Sequence, residues 1–395
     1  MGRCPPRYAA LVAVIGYALV CALPGQSVAR EFFVDAIGGS DTNSGRSPGE
    51  AWRSLDKVNE IRLQPGDTVF LRRGAAWRGK IEVQASGQPG APIIYGAYGT
   101  GPAPVLYGVD NGIAGERQRH IVIRDIHIRD TSYSGIFVQH AKDWRFERLT
   151  IERTGEGKKG GGITWWHGDG LSIIECTMTD VRGDGIWAWN VDGLKIIDNR
   201  IMTVQGETAD NLHIYKPRNF EIRGNLLSME GKTNSGKGNV FIFAGDKGVI
   251  TGNVFAGGSF GLSTTASNVS ITDNRFMNHN RFKWSAGLLM GEDTNVANNM
   301  IARNVFSGGR AGVYIFNRKF TRDAIVIREN VFEDLEGPAV VIQSTVSGAF
   351  VNNTIRSPWA ARPLEFSGSV DRAGSWRVDG NVVMRTERKN GGKVR

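Results

Sequence analysis

The sequence predicts an all-β chain wound as a single-stranded parallel β-helix, a solenoid of about ten coils. Three observations carry that prediction. First, a short apolar run recurs: "SGIFVQ" (134–139), "GGITWW" (161–166), "DGIWAW" (184–189), "DNLHIY" (210–215), "GNVFIF" (238–243), "FGLSTT" (260–265), "AGLLMG" (286–291), "AGVYIF" (311–316) and "PAVVIQ" (338–343). The second position is usually Gly or Asn, the third is always aliphatic, and the fifth usually is. Second, an asparagine column follows about a dozen residues later in each repeat, at Asn199, Asn225, Asn253, Asn274, Asn304, Asn330 and Asn353. Cys176 takes that place one repeat earlier. Third, the runs alternate and are too short for a helical period, so they read as strands. Gly, 52 of 395 residues, and Asn mark the turns. Stacked coils would lie ~4.8 Å apart through parallel pairing. The aliphatic column then builds the core. The Asn column is expected in the bends, where Asn tolerates left-handed backbone, with its amides bonding up and down the stack. A β-propeller is the competing fold, but its repeats are longer and carry four strands each.

Taken in order, residues 1–29 read as a signal peptide. Arg3 and Arg7 precede the apolar run "AALVAVIGYALVCAL" (9–23), and Ser27 and Ala29 suit cleavage after Ala29. The run is short for a membrane span, which needs ~20 residues. An uncleaved anchor is the alternative. Cys21 lacks the preceding small residue of a lipoprotein signal, and no later stretch is apolar enough to span. The mature chain, 395 less 29, has 366 residues. Losing two arginines and no acid takes the net charge from +9 to +7. A basic protein exported to the periplasm or beyond fits an acidic polysaccharide better than nucleic acid. Only Cys176 remains, so no intramolecular disulfide is possible, and a monomer is expected. Residues 30–384 form one β-helix domain. It comprises a lead-in and cap region at 30–119, regular coils at 120–357 and a C-terminal cap at 358–384. The basic tail 385–395 is expected to be disordered.

The Asn ladder and the "GI-x-V…I-x-x-N-x-F" coil pattern resemble the right-handed parallel β-helix proteins of the pectate lyase superfamily. The segments "EFFVDAIGGSDTNSGRSPGEAWRSLDKVNEIRLQPGDTVFLRRG" (31–74) and "GAPIIYGAYGTG" (90–101) are similar to the N-terminal region of secreted bacterial polysaccharide lyases and related uronan-modifying enzymes. The resemblance implies that a short helix within "SLDKVNEIR" caps the first coil, where core and unpaired strand edges would otherwise be open. One fold of this kind hosts several chemistries. The "DPHD" motif of alginate epimerases is absent. "SGKGNVFIFAG" (235–245) is similar to the "GNGFKLGG" stretch of one pectate lyase family, but the catalytic lysine of that stretch falls on Ile242, which cannot be a base.

If the third and fifth positions of each run point inward, the fourth and sixth point outward. The fourth column reads Phe137, Thr164, Trp187, His213, Phe241, Ser263, Leu289 and Tyr314. The sixth reads Gln139, Trp166, Trp189, Tyr215, Phe243, Thr265, Gly291 and Phe316. Two outward stacks this aromatic need either a covering loop or a ligand. Flat rings in a groove suit sugar faces. The first position gives Asp184 and Asp210 in adjacent coils. Stacked carboxylates leave three readings: a Ca²⁺ site, a catalytic pair as in glycosidases, or turn-bonding acids. Lys237, just before Gly238, is placed to approach Asp210. In "ADNLHIYK" (209–216), Asp210 and Asn211 are then expected at the strand entrance, with His213 and Tyr215 outward between Trp187/Trp189 and Phe241/Phe243.

Convergent titratable groups on an aromatic face point to an active site. β-Elimination on a uronic acid polymer needs a neutralised carboxylate, a base and an acid. Ca²⁺ on Asp184 and Asp210, or Lys237 and Asn211 directly, would neutralise. His213 or Lys237 would be the base and Tyr215 the acid. Trp166, Trp187, Trp189, Phe241 and Phe243 would hold neighbouring sugars, and Arg281 and Lys283 in the bend "NHNRFKWS" (278–285) would bind a carboxylate. Beyond Ca²⁺ no cofactor is implied. Hydrolysis by Asp184 and Asp210, uronan epimerisation, and a non-catalytic glycan-binding or exopolysaccharide-export role are the alternatives. "GKKGGG" (157–162) and "WWHGDG" (165–170) read as a loop beside the groove. No zinc spacing, phosphate loop or serine-nucleophile motif appears.

Overall fold

The structure is a computed structural model that describes residues 2, 29–155, 160–202, 209–231, 236–291, 294–316, 322–343, 346–358, 363–366 and 376–386. Most of the segment 1–29 and of the tail 385–395 therefore lies outside the described residues.

Each coil contributes strands to three rows. The first two rows merge into one 26-stranded sheet, because Gly161–Ile174 and Asp184–Asp192 run through both, and the third row is a separate 13-stranded sheet. Successive coils pair in parallel and in register. Trp187 lies beside His213 and His213 beside Phe241, with Trp189, Tyr215 and Phe243 aligned in the same way. The third-position column, from Ile136 through Ile163, Ile186, Leu212 and Val240 to Leu262, is fully buried, each side chain worth ~1.5–3 kcal/mol of transfer free energy. Against it the third row stacks Phe255, Phe276, Phe306 and Phe332 with ring centres 4.7 to 4.9 Å apart, which is the coil spacing itself. Position two of the first row is where the chain turns inward. A Cβ on Gly185 would lie 2.5 Å from the Asn211 carbonyl oxygen and 2.8 Å from Ile201, so glycine is required there.

The asparagine ladder forms and gains Asn381 at its end. The backbone N–H and Nδ2 of Asn225 both donate to Oδ1 of Asn253 at 2.9 Å, and Asn253 repeats the pattern onto Asn274. The same Nδ2 atoms also donate to the Ile196 and Ile222 carbonyls. Left-handed backbone, however, is not carried by these asparagines. It falls one residue earlier, on Asp198, Asp273, Arg303, Glu329 and Asn352 with φ of 54° to 58°, and on Gly224, Gly252 and Gly380. The ladder residue is held instead by its buried amide.

The solenoid reaches beyond 120–357 in both directions. Parallel pairing begins with Glu31–Val34 on Thr68–Arg72. At the other end Leu364–Phe366, Trp376–Asp379 and Val382–Arg385 extend all three rows. What was expected as a C-terminal cap at 358–384 is thus a further coil. The short helix is present as Leu55–Glu60, with Leu55 and Val58 in the core. Its Asn59 donates to the Lys80 carbonyl at 3.1 Å and accepts from the Glu82 N–H at 2.9 Å, pairing strand Ile81–Val83 on its open side. Among the described residues no helix is long and apolar enough to cross a membrane.

Candidate active site

Four chemistry-bearing side chains meet where the coils of Asp184, Asp210 and Lys237 stack. Asp184 Oδ1 accepts the Asp210 N–H at 2.8 Å, and Asp210 Oδ1 accepts the Gly238 N–H at 2.9 Å. Each acid thereby closes the entrance of the next coil with one oxygen and leaves the other free. Those second oxygens face His213 and Lys237. His213 Nδ1 lies 3.1 Å from Asp184 Oδ2 and 3.8 Å from Asp210 Oδ2, and Lys237 Nζ lies 3.8 Å from Asp210 Oδ2. Turn bonding, one of the three readings in the sequence, is made by both acids, and Asp210 also has the Lys237 ammonium 3.8 Å away.

Burial grades the cluster. The Asp210 side chain is fully buried, Asp184 and His213 are 13% and 15% exposed, and Lys237 is 31% exposed. Burial pushes the Asp210 carboxyl up to about 7, with the Asp184 charge adding to it; Lys237, the Gly238 N–H and His213 pull the other way without cancelling it. Asp210 Oδ2 has no hydrogen bond, and neither His213 nitrogen is in hydrogen-bond geometry. His213 stacks on Tyr215 with ring centres 5.0 Å apart and meets Phe241 edge-on at 5.1 Å. The Lys237 ammonium sits 5.7 Å from the Phe241 ring centre.

Ligand atoms of Asp184, Asp210 and His213 lie within 4.8 Å of one another. They fit calcium poorly. Ca²⁺ takes 6–8 oxygens, whereas two of the four carboxylate oxygens here bond backbone amides and the third residue offers nitrogen. Lys237 already supplies a positive charge.

The aromatic face is present in the expected register. Phe137, Trp166 and Trp187 step along it edge-to-face, at 5.2 and 5.4 Å. Trp189, 39% exposed, packs on Tyr215 at 5.8 Å. The face is open only over part of its length. Beyond Phe241 and Phe243 the outward residues Ser263, Leu289 and Thr265 are buried, and Phe260, Ala286, Leu289 and Ala311 form a second apolar cluster with Phe241, Tyr314 and Phe316 against it. One half of the face is therefore covered and the other only partly.

Two expected contacts are corrected. Asn211 is fully buried, and its Nδ2 donates to Asn239 Oδ1 at 2.8 Å, so it faces the interior and not a substrate. It occupies the inward-turning position that is glycine in the preceding coil, at Gly185, and asparagine in the next, at Asn239. Asp210, buried to the same degree, is out of a substrate's reach as well, and its Oδ2 faces His213 and Lys237. "WWHGDG" is not a loop but the bend inside the continuous strand Gly161–Ile174, with His167 left-handed at φ 53°. His167 stacks on His140 at 5.4 Å and meets Asn190 at 3.0 Å. Of "GKKGGG", residues 157–159 lie outside the described residues. Arg281 and Lys283 occupy a bend whose Trp284 lies 3.8 Å from the Cβ position Gly236 lacks, beside the Lys237 segment. That bend also shows Phe282 stacked on exposed Trp284 at 5.2 Å. The sequence reading passed over this pair, though the aromatic–x–aromatic spacing around Lys283 was its signal.

Two family models match the chain: right handed beta helix region, over residues 213–381, and periplasmic copper-binding protein (NosD), over residues 100–288. A curated lacto-N-biosidase of Bifidobacterium longum subsp. longum is 30% identical over 128 residues, which is 27% of this chain and only 8% of that protein. Among solved structures, the GH136 lacto-N-biosidase from Eubacterium ramulus superposes with a TM-score of 0.60 at 14% identity, covering 90% of this chain and 68% of that one. A mannuronic acid specific polysaccharide family 6 lyase from human gut microbiota gives 0.53 at 16% identity, covering 90% and 92%. At such identities the likeness is one of fold. With the stacked parallel rows and the asparagine ladder, it makes the chain a right-handed parallel β-helix protein.

Proposed function

We propose that the protein is an exported polysaccharide-active enzyme, a lyase that cleaves a uronic acid-containing polysaccharide by β-elimination in the open aromatic groove. The observation that carries this reading is the grouping of Lys237, His213 and Tyr215 on one stretch of that groove, over buried Asp210. The uronate carboxylate meets the Lys237 ammonium, which stabilises the charge that develops when the adjacent C–H loses its proton. His213, with Asp184 on its Nδ1 side, takes that proton. The C–O bond to the leaving sugar breaks as the ring double bond forms, and the Tyr215 phenol protonates the departing oxygen. Trp187, Trp189 and Trp166 hold the flanking sugars. The fold likeness to a mannuronic acid specific lyase supports the substrate class. The periplasmic family description and the basic, apolar N-terminal segment support export.

Hydrolysis is the second reading. Two neighbouring carboxyls, one of them pushed up to about 7, have the pattern of an acid and nucleophile pair, and lacto-N-biosidases appear among the similar proteins. Full burial of Asp210 argues against it, because a proton donor must reach the glycosidic oxygen. The two reactions separate cleanly by product. Elimination yields an unsaturated uronate that absorbs in the ultraviolet, whereas hydrolysis yields reducing ends alone. His213→Ala and Lys237→Ala should each lower elimination by about 10²–10⁴-fold with folding intact. Full activity in both would overturn the assignment.

A further inference from the structure

Of the Phe, Tyr and Trp side chains among the described residues, only Trp189, Phe282 and Trp284 are exposed. Trp189 belongs to the aromatic groove. Phe282 and Trp284 stand in the bend between strands Arg275–Met277 and Ala286–Met290, 37% and 40% exposed, with ring planes 4° apart and centres 5.2 Å apart. Grouped exposed rings mark a binding surface, where single ones do not.

The bend is held in place beneath them. Ser285, 1% exposed, accepts the Phe282 N–H on its Oγ at 2.8 Å and donates its own N–H to the Phe282 carbonyl at 3.0 Å. At the other end the carbonyl of buried His279 accepts the Arg310 N–H at 3.0 Å, and Asn280 donates to Glu336 at 3.2 Å. Pinning the chain on both sides of the rings lowers the ordering cost of binding.

Strand Ala286–Met290 pairs with Phe260–Thr264, which pairs with Val240–Phe243. The bend is therefore two coils beyond the Lys237 segment, ~10 Å at ~4.8 Å per coil. The turn of the coil between is only Gly258 and Ser259, both buried. Trp284 reaches back across it, its ring 3.8 Å from where a Cβ on Gly236 would lie. Trp187 and Trp189 lie two coils from Lys237 in the opposite direction. Exposed rings thus flank the reactive cluster on both sides along the solenoid. Lys283, exposed and without an ion-pair partner among the described residues, adds a positive charge to the second group.

We propose that the Phe282–Trp284 pair is a sugar-binding platform that stacks a pyranose ring of the substrate on the far side of Lys237 from Trp187 and Trp189. This rests on the uronan reading of the site and deepens it. The sugar presents its C–H face to the indole and its carboxylate to Lys283, while a neighbouring unit meets Lys237. The polymer is then gripped on both sides of the bond that breaks.

The test uses the full chain carrying His213→Ala, which removes the proposed base, with mannuronate and galacturonate hexamers. In hydroxyl-radical footprinting read by mass spectrometry, a saturating hexamer should lower oxidation of Trp284 and Phe282 along with Trp189, and leave exposed Val249 unchanged. In calorimetric titration, adding Trp284→Ala should weaken binding about three- to tenfold, and Trp284→Phe should stay within about twofold of the parent. Protection of Trp189 without protection of Trp284 overturns the platform and leaves the groove. Equal affinity of the parent and Trp284→Ala for each hexamer that binds overturns it as well. Absence of binding to both hexamers overturns the platform and the uronan reading together. Ultraviolet absorbance of the wild type reports elimination separately, so a protected Trp284 in a protein that forms no unsaturated uronate would keep the platform and lose the lyase.

Discussion

Asp210 is where the residue scale decides most. Its folded pKa is raised above the ordinary 3.8 to about 7, chiefly by burial. The native state therefore binds more protons than the unfolded chain between about pH 4 and 7, and stability falls as pH rises through that window. Asp210→Asn keeps an acceptor for the Gly238 N–H and removes the charge. The variant should melt higher than wild type at pH 8, and its advantage should shrink toward pH 4. Thermal melts across pH 4 to 8 check this, and an unchanged pH slope would contradict the buried, proton-binding carboxyl. A second residue-scale expectation concerns metal. With Lys237 as the neutralising charge and few free oxygens around Asp184 and Asp210, a chelator should leave any lyase activity unchanged. Loss on chelation with recovery on adding calcium would return the charge-neutralising role to the two acids.

At the scale of the element, the strand Leu212–Tyr215 was legible because side chains alternate with a period of two and coils stack in register. Once Leu212 and Ile214 are inside, His213 and Tyr215 must be outside, and their neighbours Trp187, Trp189, Phe241 and Phe243 follow. The alternation rule ends at the strand entrance, where the chain turns inward, and there the reading of Asn211 failed. The replacement of the column glycine at both 211 and 239 was the visible cue to a buried amide pair. The left-handed column was misplaced by one residue for a related reason. The asparagine signal marks the amide ladder, and the adjoining turn residue takes Asp, Asn, Arg, Glu or Gly without any one shared side-chain chemistry. The ladder itself makes a quantitative prediction. Asn253→Ala strips the acceptor from two donors of Asn225 and removes the amide that donates to the Ile222 carbonyl. At ~1–3 kcal/mol per stranded buried group, it should cost about 3–5 kcal/mol. Urea unfolding of a correctly folded variant would measure it, and a loss below 1 kcal/mol would deny the ladder its structural role.

Over the whole molecule, the repeat was readable where aliphatic and asparagine columns are both strong, and silent where they weaken. The first coils carry long insertions between strands, such as the helix-bearing stretch between Val34 and Thr68, so the period is hidden there although the pairing is the same. Among the described residues of the last coil, Leu364, Phe366 and Trp376 pack only partly buried against the core. Val378, Val382, Val383 and Met384 are about half exposed, and so the stretch reads as a cap. The covered half of the aromatic face was not legible either, since what buries an outward residue is decided by distant turns. A stacked solenoid with a groove open on one face and a basic surplus should bind an acidic polymer with strong salt dependence. Affinity for a uronate hexamer should fall several-fold between 50 and 300 mM salt, and salt-independent binding would speak for a neutral glycan.

The most direct measurement of the central claim is incubation of the purified protein with a panel of uronic acid polysaccharides, following ultraviolet absorbance of unsaturated uronate and reducing ends together. Absorbance rising in step with reducing ends on at least one polymer, and abolished in His213→Ala and Lys237→Ala, is the predicted result. Reducing ends without absorbance would contradict elimination and transfer the chemistry to Asp184 and Asp210.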